Sequence, residues 1–293
     1  MKKNVYLLAG ILAILILLAV VVMNRPGETD ISAENSHFLF SIDSASVDKI
    51  VLRSHLSSVT LVKKGSEWFL SEPVEYHADQ SNVNLLIHQS KNLDAKEIVS
   101  SNPDKRSIFQ VDSNGTLVRI FQNGQEHASF VVGKMGQSYS ETYLRKAESN
   151  DVNVVKGALS WSFNKSVKDW RDKTILAVPK ETIDKISYQY PGETFTLAFK
   201  DSTWMIGSDK AKANEVSTLL GVLSNVQADD FVDSPITPAP KITATVTVGE
   251  NQVRLSEIKG KDQYFVQNSN SPQWFELQGW RVKQLLKHKK DLL

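Results

Sequence analysis

The chain of 293 residues contains no cysteine. That absence excludes disulfide staples, thiol chemistry, iron–sulfur clusters and cysteine zinc sites. It also fits an envelope location, where a stray thiol would be oxidised. Charge of either sign is not in excess. Thirty-four Lys and Arg against 33 Asp and Glu leave a net charge of +1. No basic block occurs, so nucleic acid is not an expected partner. Catalytic signatures are missing too. None of the six histidines (His37, His55, His77, His88, His127 and His288) has the i, i+4 partner and glutamate of a helical zinc protease site. No G-x-S-x-G elbow or serine–lysine pair stands out. Gly133-Lys134-Met135-Gly136-Gln137-Ser138 lacks the glycine spacing and lysine–hydroxyl pair of a phosphate loop, and is expected to be a turn between strands. Asn114-Gly115-Thr116 fits a glycosylation sequon but reads as a hairpin turn. No catalytic, cofactor-binding or metal-ligating residues are expected, and no cofactor.

What is present begins with one long apolar run. Val5–Met23 holds nineteen uncharged residues, thirteen of them Leu, Ile or Val. As a helix it spans roughly 28 Å, about one hydrocarbon core. Its aliphatic residues favour insertion by about 4–8 kcal/mol. A cleaved signal peptide would have a shorter apolar region and a small-x-small site, and this run has neither feature. The expectation is an uncleaved anchor. Lys2 and Lys3 precede it, whereas Arg25 is soon joined by Glu28, Asp30 and Glu34. Residues 1–4 are therefore expected in the cytoplasm and the body in the periplasm, across the inner membrane of a bacterium. Residues 24–36 are polar, contain Pro26-Gly27, and read as a tether.

The body carries an internal repeat. Ser46–Leu70 lies on Thr182–Ile206 without a gap, with eight of twenty-five positions identical: Asp48/Asp184, Lys49/Lys185, Ile50/Ile186, Thr60/Thr196, Leu61/Leu197, Lys64/Lys200, Ser66/Ser202 and Trp68/Trp204. Self-similarity at a fixed offset means that one supersecondary unit is used twice. Each copy opens with a strand (Val47, Ile50, Leu52; Ile183, Ile186, Tyr188). A hairpin follows, whose alternating residues bring Trp68 and Trp204 to the core face. An apolar stripe then predicts a helix: Val83, Leu86, Ile87 and Leu93 in the first copy, Val216, Leu219, Leu220, Leu223 and Val226 in the second. Short strands come next, and a closing helix over 158–169 or 279–288. The proline-rich 233–240 reads as a loop within the strand series. The expected fold is α+β: a transmembrane helix followed by two tandem, duplicated units of antiparallel strands with covering helices, at 37–173 and 174–293.

The order of these features resembles a known family. An N-terminal anchor is followed by I-x-x-I-like strand starts, Trp68 with Pro73 and Ala78-Asp79, Gly133 before an aromatic-containing strand, and Trp170-Arg171-Asp172-Lys173 between the halves. Over most of the chain after about residue 45 this resembles the bacterial family described as domain of unknown function 4340. The resemblance implies an envelope accessory protein of gliding-motility-type ABC transport systems, beside a permease, an ATPase and a large membrane-anchored auxiliary protein. It brings no catalytic residues. The second copy departs from it, with Lys289-Lys290-Asp291 where an Arg-Asp-Lys would stand.

Trp170, Arg171, Asp172 and Lys173 are the candidate site, as an inter-unit structural element or a partner-binding one. In the structural reading Arg171 and Asp172 pin the first unit's last helix to the second unit, with Trp170 as the packing wedge. His77 and Asp79 are close in sequence, but Asp79 reads more simply as a helix cap. The expected function is a non-enzymatic, membrane-anchored periplasmic binding or scaffold protein whose partners are other membrane or periplasmic proteins. Two alternatives stay open: an envelope hydrolase built from dispersed groups such as Asp79, Glu141, Asp172 or His127, and a small-ligand sensor using a groove between the two units.

Overall fold

A computed structural model describes residues 37–91 and 93–293. The expected cytoplasmic segment 1–4, anchor Val5–Met23 and tether 24–36 lie outside the described residues. Among the described residues no helix is long and apolar enough to cross a membrane.

The first copy contains strands β1 His37–Phe38, β2 Val47–Arg53, β3 Ser58–Lys64, β4 Glu67–Glu72, β5 Tyr76–His77, β6 Asp94–Ser100, β7 Thr116–Gln122, β8 Gln125–Met135, β9 Glu141–Lys146 and β10 Val152–Lys156. Helix α1 Gln80–Lys91 lies between β5 and β6, a 3-10 helix Pro103–Phe109 follows β6, and α2 Leu159–Phe163 and α3 Val167–Trp170 end the copy. The second copy contains β11 Thr174–Leu176, β12 Lys185–Tyr190, β13 Glu193–Lys200, β14 Thr203–Ile206, β15 Asp209–Lys210, α4 Ala213–Leu223, β16 Val226–Gln227, β17 Asp230–Val232, β18 Ala244–Val248, β19 Asn251–Glu257, β20 Gln263–Asn268, β21 Trp274–Gln278, α5 Gly279–Leu285 and α6 Lys289–Leu292.

The strands form two large antiparallel sheets. The first runs β1-β6-β10-β9-β8-β7-β2-β3-β4-β5 and the second β15-β14-β13-β12-β18-β19-β20-β21-β17. Read from its other end, the first order becomes the second when each strand is replaced by its counterpart. The lead-in strands match as well: β1 pairs with the start of β6, and β11 pairs with β16. One difference is that β6 is continuous, whereas its counterpart is split into β16 and β17. The repeat seen in a third of the aligned positions thus extends to the whole strand order.

By compactness the described residues divide into 37–66, Ser71–Pro73 and Ser81–Lys165, and Glu67–Leu70, Val74–Gln80 and Ser166–Leu293. In the first unit Val47, Ile50 and Leu52 of β2 and Val59 and Leu61 of β3 are buried, as the alternation predicts. So are Val83, Leu86 and Ile87 of α1. Phe163 of α2 meets Phe130 of β8 edge-on, with ring centres 6.0 Å apart. The neighbouring Val131 points to the opposite face, into a smaller core with Val111, Tyr143, Val152 and Val154. The 3-10 helix and the loop after it contribute Phe109 and Val111 to that core, so β8 is covered on both sides.

The second unit has one core. It joins Ile186, Tyr188 and Leu197 to Val216, Leu219 and Leu223 of α4, to Val246, Val253, Leu255, Val266 and Phe275 of the later strands, and to Val282 and Leu285 of α5. Each fully buried side chain of this size contributes about 1.5–3 kcal/mol.

Several local expectations change. Trp68 is 3% exposed, but Trp204 is only half-buried and leans on Phe199, which is itself exposed. Gly133 and Lys134 lie inside β8, not in a turn. A Cβ at Gly133 would sit 2.3 Å from the Phe109 carbonyl oxygen, so the glycine allows the 3-10 segment to lie directly on the strand. Asn114-Gly115 does form a turn, but it leads from the 3-10 segment into β7. The β7–β8 hairpin turn is Asn123-Gly124, with φ of 52° and 78°, the primed geometry that suits twisted strands. Each closing helix is interrupted, over 164–166 in the first copy and 286–288 in the second.

Candidate functional site

Trp170, Arg171, Asp172 and Lys173 follow directly on one another where α3 ends, and each has a separate role. Trp170 is fully buried, and its carbonyl accepts the Asp79 amide at 2.8 Å. Arg171 leaves the helix in extended geometry and bridges Ala78, while the Asp172 amide donates to the His77 carbonyl at 2.9 Å. Residues 170–172 therefore run beside 77–79 as a short antiparallel pair within the second unit.

That extended backbone decides where the side chains go. Arg171 is 2% exposed. Its Cζ lies 3.7 Å from the centre of the Phe231 ring and 4.4 Å from that of Tyr76. The two rings meet edge-on, 5.5 Å apart at 85°. Nη1 donates to Asp233 Oδ1 at 2.7 Å and Nη2 to Gln273 Oε1 at 3.1 Å. Gln273 is fixed in turn through its Nε2, which donates to the Val232 and Trp274 carbonyls at 3.0 and 2.6 Å. Cation–π contact with two rings and hydrogen bonds from both terminal nitrogens suit a planar guanidinium and no other side chain. Burial pushes the Tyr76 hydroxyl above its ordinary range, with Arg171 partly offsetting it.

The expected joint action of Arg171 and Asp172 is not what occurs. Neighbours in an extended strand point to opposite sides. Arg171 goes to Asp233 and Gln273, whereas Asp172 Oδ1 accepts the Thr174 amide at 2.9 Å. Lys173 Nζ lies 3.2 Å from Asp169 Oδ1, near the surface. Among the described residues, Arg171 Nε and Trp170 Nε1 are buried without a hydrogen-bond partner. The motif is a packed clamp, with no pair of groups placed for proton transfer.

The other candidate residues have local partners. Glu141 Oε1 accepts from Lys96 Nζ at 2.7 Å, a bond that holds its carboxyl below the usual range. His127 Nε2 lies 2.7 Å from the Ser41 carbonyl. His77 is exposed, with its ring 4.3 Å from that of Phe69 and Nδ1 3.8 Å from Glu67. Asp79 lies at the start of α1, where the side chain of Gln80 bonds both main-chain groups of Trp68 at 2.9 Å. Glu141, His127 and Asp172 thus each bond a different neighbour, and no two of these three are hydrogen-bonded to each other among the described residues.

The residues that sequence reasoning missed are the partners of Arg171. Tyr76, Phe231, Asp233 and Gln273 are scattered over two hundred positions, and only pairing of β17 with β21 collects the last three. It also missed a cavity of about 470 Å³ in the first unit, lined by Arg53, His55, Arg119 and Arg145 among others.

The model of one family, domain of unknown function (DUF4340), matches residues 68–248, well over half of the chain. The chain belongs to this family. The DUF4340 match starts at Trp68 in β4, passes through the Trp170–Lys173 clamp and ends at Val248 in β18. It therefore covers parts of both copies, with the clamp in its interior. No curated protein and no solved structure matches the chain.

Proposed function

We propose that this DUF4340 protein is a non-enzymatic scaffold of the bacterial envelope. Val5–Met23 holds it in the inner membrane, and its sheet units stand in the periplasm to dock other membrane or periplasmic proteins. The observation that carries this reading is one combination: a nineteen-residue uncharged apolar run in front of two units that share a strand order. The distinctive Trp170–Lys173 motif is engaged in internal packing, which supports a structural use of the chain over a chemical one.

An exposed strand edge supports the reading. Beyond its two-residue pairing with β1, the outer edge of β6 presents Ile98 and Val99 to solvent. An exposed strand edge with apolar side chains suits strand addition by a partner. The resemblance of the sequence to accessory parts of ABC-type transport systems makes a permease, or its membrane-anchored auxiliary protein, the proposed partner.

Purification of the full chain, tagged after Leu293, in mild detergent tests this. Stoichiometric recovery of a membrane protein of the transporter class is expected. Recovery of the chain without any membrane partner contradicts the reading.

A further inference from the structure

One row of residues runs straight across four strands of the first unit. Arg145 on β9 stands opposite Val131 on β8, Val131 opposite Leu117 on β7, and Leu117 opposite Arg53 at the end of β2. In the next row Arg119 stands opposite Ser129. Strands are about 4.8 Å apart, so Arg145 and Arg53 bracket the apolar pair across roughly 14 Å. These residues line the 470 Å³ cavity, whose wall is completed by Ser54, His55 and the turn at Asp112, Ser113 and Gly115. The wall is tightly placed, since a Cβ at Gly115 would meet the Gln110 carbonyl oxygen at 2.4 Å and Val131 Cγ1 at 2.6 Å.

The charges in this cavity are poorly neutralised from within. Arg145 is 7% exposed, yet among the described residues its hydrogen-bond partners are all main-chain carbonyls. Its Nε donates to the Val111 carbonyl at 3.0 Å, and its Nη1 to the carbonyls of Lys146, Ala147 and Ser149 at 2.8–3.0 Å. Nη2 has no hydrogen bond among the described residues. Burial, and then the nearby Arg106, disfavour its charge, and Asp112 offsets them only in part. Arg53 makes no side-chain hydrogen bond or ion pair among the described residues. Arg119 reaches Glu126 only at 3.9 Å, both half in solvent, which is worth little. Asp112 is the one acid in the lining, and both its oxygens accept from Asn114.

The second unit, on the same strand order, has nothing equivalent. The counterpart row is Gln267, Arg254, Thr245 and Gln189. The arginine bracket therefore does not belong to the common scaffold and is peculiar to one copy.

We propose that this cavity binds a small phosphate-bearing anion, its phosphate held by Arg53, Arg119 and Arg145 and any apolar body lying on Leu117 and Val131. Planar guanidinium forks suit a phosphate, and the volume is that of a metabolite-sized site. The site is independent of the scaffold reading, because either can hold without the other. The phosphate could come from a soluble metabolite or from a lipid headgroup.

Calorimetric titration of the full chain in a non-ionic detergent tests it with two probes, inorganic pyrophosphate and monomeric dibutyryl-phosphatidylglycerol. Saturable, salt-sensitive binding of at least one is expected, and the tighter of the two identifies the source. The double variant R53Q/R119Q, chosen because Arg145 also holds the loop together, should weaken binding by about tenfold or more. Its melting temperature without ligand should stay unchanged. The control K259Q/K261Q, on an exposed turn elsewhere, should bind as the parent does. The proposal is overturned if neither probe saturates up to about ten millimolar, or if R53Q/R119Q binds like the parent.

Discussion

The Asp79 amide donates to the Trp170 carbonyl at 2.8 Å. Its counterpart in the other copy, the Lys212 amide, donates to the Leu292 carbonyl at the same 2.8 Å. Trp170 and Leu292 are each the last residue of the closing helix, and both are fully buried. A second bond repeats beside it: the Ala78 amide to the Trp68 carbonyl at 3.0 Å, and the Ala211 amide to the Trp204 carbonyl at 2.9 Å. The helix end thus latches onto the segment between hairpin and helix in both copies. In the first copy the chain runs on, and Arg171 uses that continuation. Truncating Trp170 to Ala should lower the unfolding free energy of its unit by about 3–5 kcal/mol, and Leu292→Ala by about 2–4. Urea titration followed by far-UV circular dichroism measures both.

Arg171 should prove structural and hard to replace. Arg171→Ala removes the filling of the Tyr76–Phe231 slot along with two hydrogen bonds, and is expected to cost about 3 kcal/mol. Arg171→Lys keeps the charge but loses the fork and the stacking, and should recover less than half of that. Asp233→Asn should cost under about 1 kcal/mol, because that carboxylate is half exposed. Denaturant midpoints order the three variants.

The two repeated tryptophans should differ in weight. Trp68→Ala opens a cavity at a buried site and is expected to cost about 3–5 kcal/mol, whereas Trp204→Ala, at a half-buried site, should cost about half as much. Equal losses would contradict the burial difference.

Gly133 and Gly115 should tolerate no side chain. An added Cβ meets main-chain oxygens at 2.3 and 2.4 Å, and neither partner is a flexible side-chain end. Gly133→Ala and Gly115→Ala should each cost about 2 kcal/mol or more and should loosen the 103–115 segment. Hydrogen exchange at Val111 and Gly115 reports that loosening.

Acid should weaken one tie on the carboxyl-terminal tail. The Tyr188 and Tyr190 hydroxyls bond the Leu285 and Lys287 carbonyls at 3.1 and 2.7 Å. Glu193 bonds His288 Nδ1 at 2.6 Å and the Lys289 amide at 3.2 Å. The His288 bond, then that of the Lys289 amide, hold the Glu193 carboxyl below its ordinary range. A depressed folded value means that the stabilisation is complete above the unfolded value, about pH 4.3, and fades as pH falls through the folded one. Glu193→Gln should melt lower than the parent at pH 6, and the gap should shrink toward pH 3.

Much of this architecture is legible in the sequence because it rests on period. The alternation in Val47–Leu52 and Ile183–Tyr188, and the stripes in 83–87 and 216–223, place strands and helices without tertiary information. The eight identities between 46–70 and 182–206 predict a second unit, and the common strand order extends that likeness to the later strands. The 3-10 segment 103–109 is not legible in this way, because its burial depends on a close approach at Gly133 that only the folded strand reveals. The partners of Arg171 are equally hidden. Its position says that the chain is extended there, but which acid and which rings receive it depends on β17 and β21 pairing sixty to a hundred residues later. The row from Arg145 to Arg53 is likewise a matter of register. Shifting one pairing by a residue would send those side chains to the other face.

The central claim is that a membrane-held chain presents these units outside the cytoplasm, and the missing cysteine makes it directly measurable. Ser208 is exposed on the β14–β15 turn, so Ser208→Cys introduces the only thiol. The account predicts that a membrane-impermeant maleimide labels it in intact spheroplasts, and that the labelled chain stays in the membrane pellet through an alkaline carbonate wash. Labelling only after lysis, or release of the full-length chain by carbonate, would contradict it.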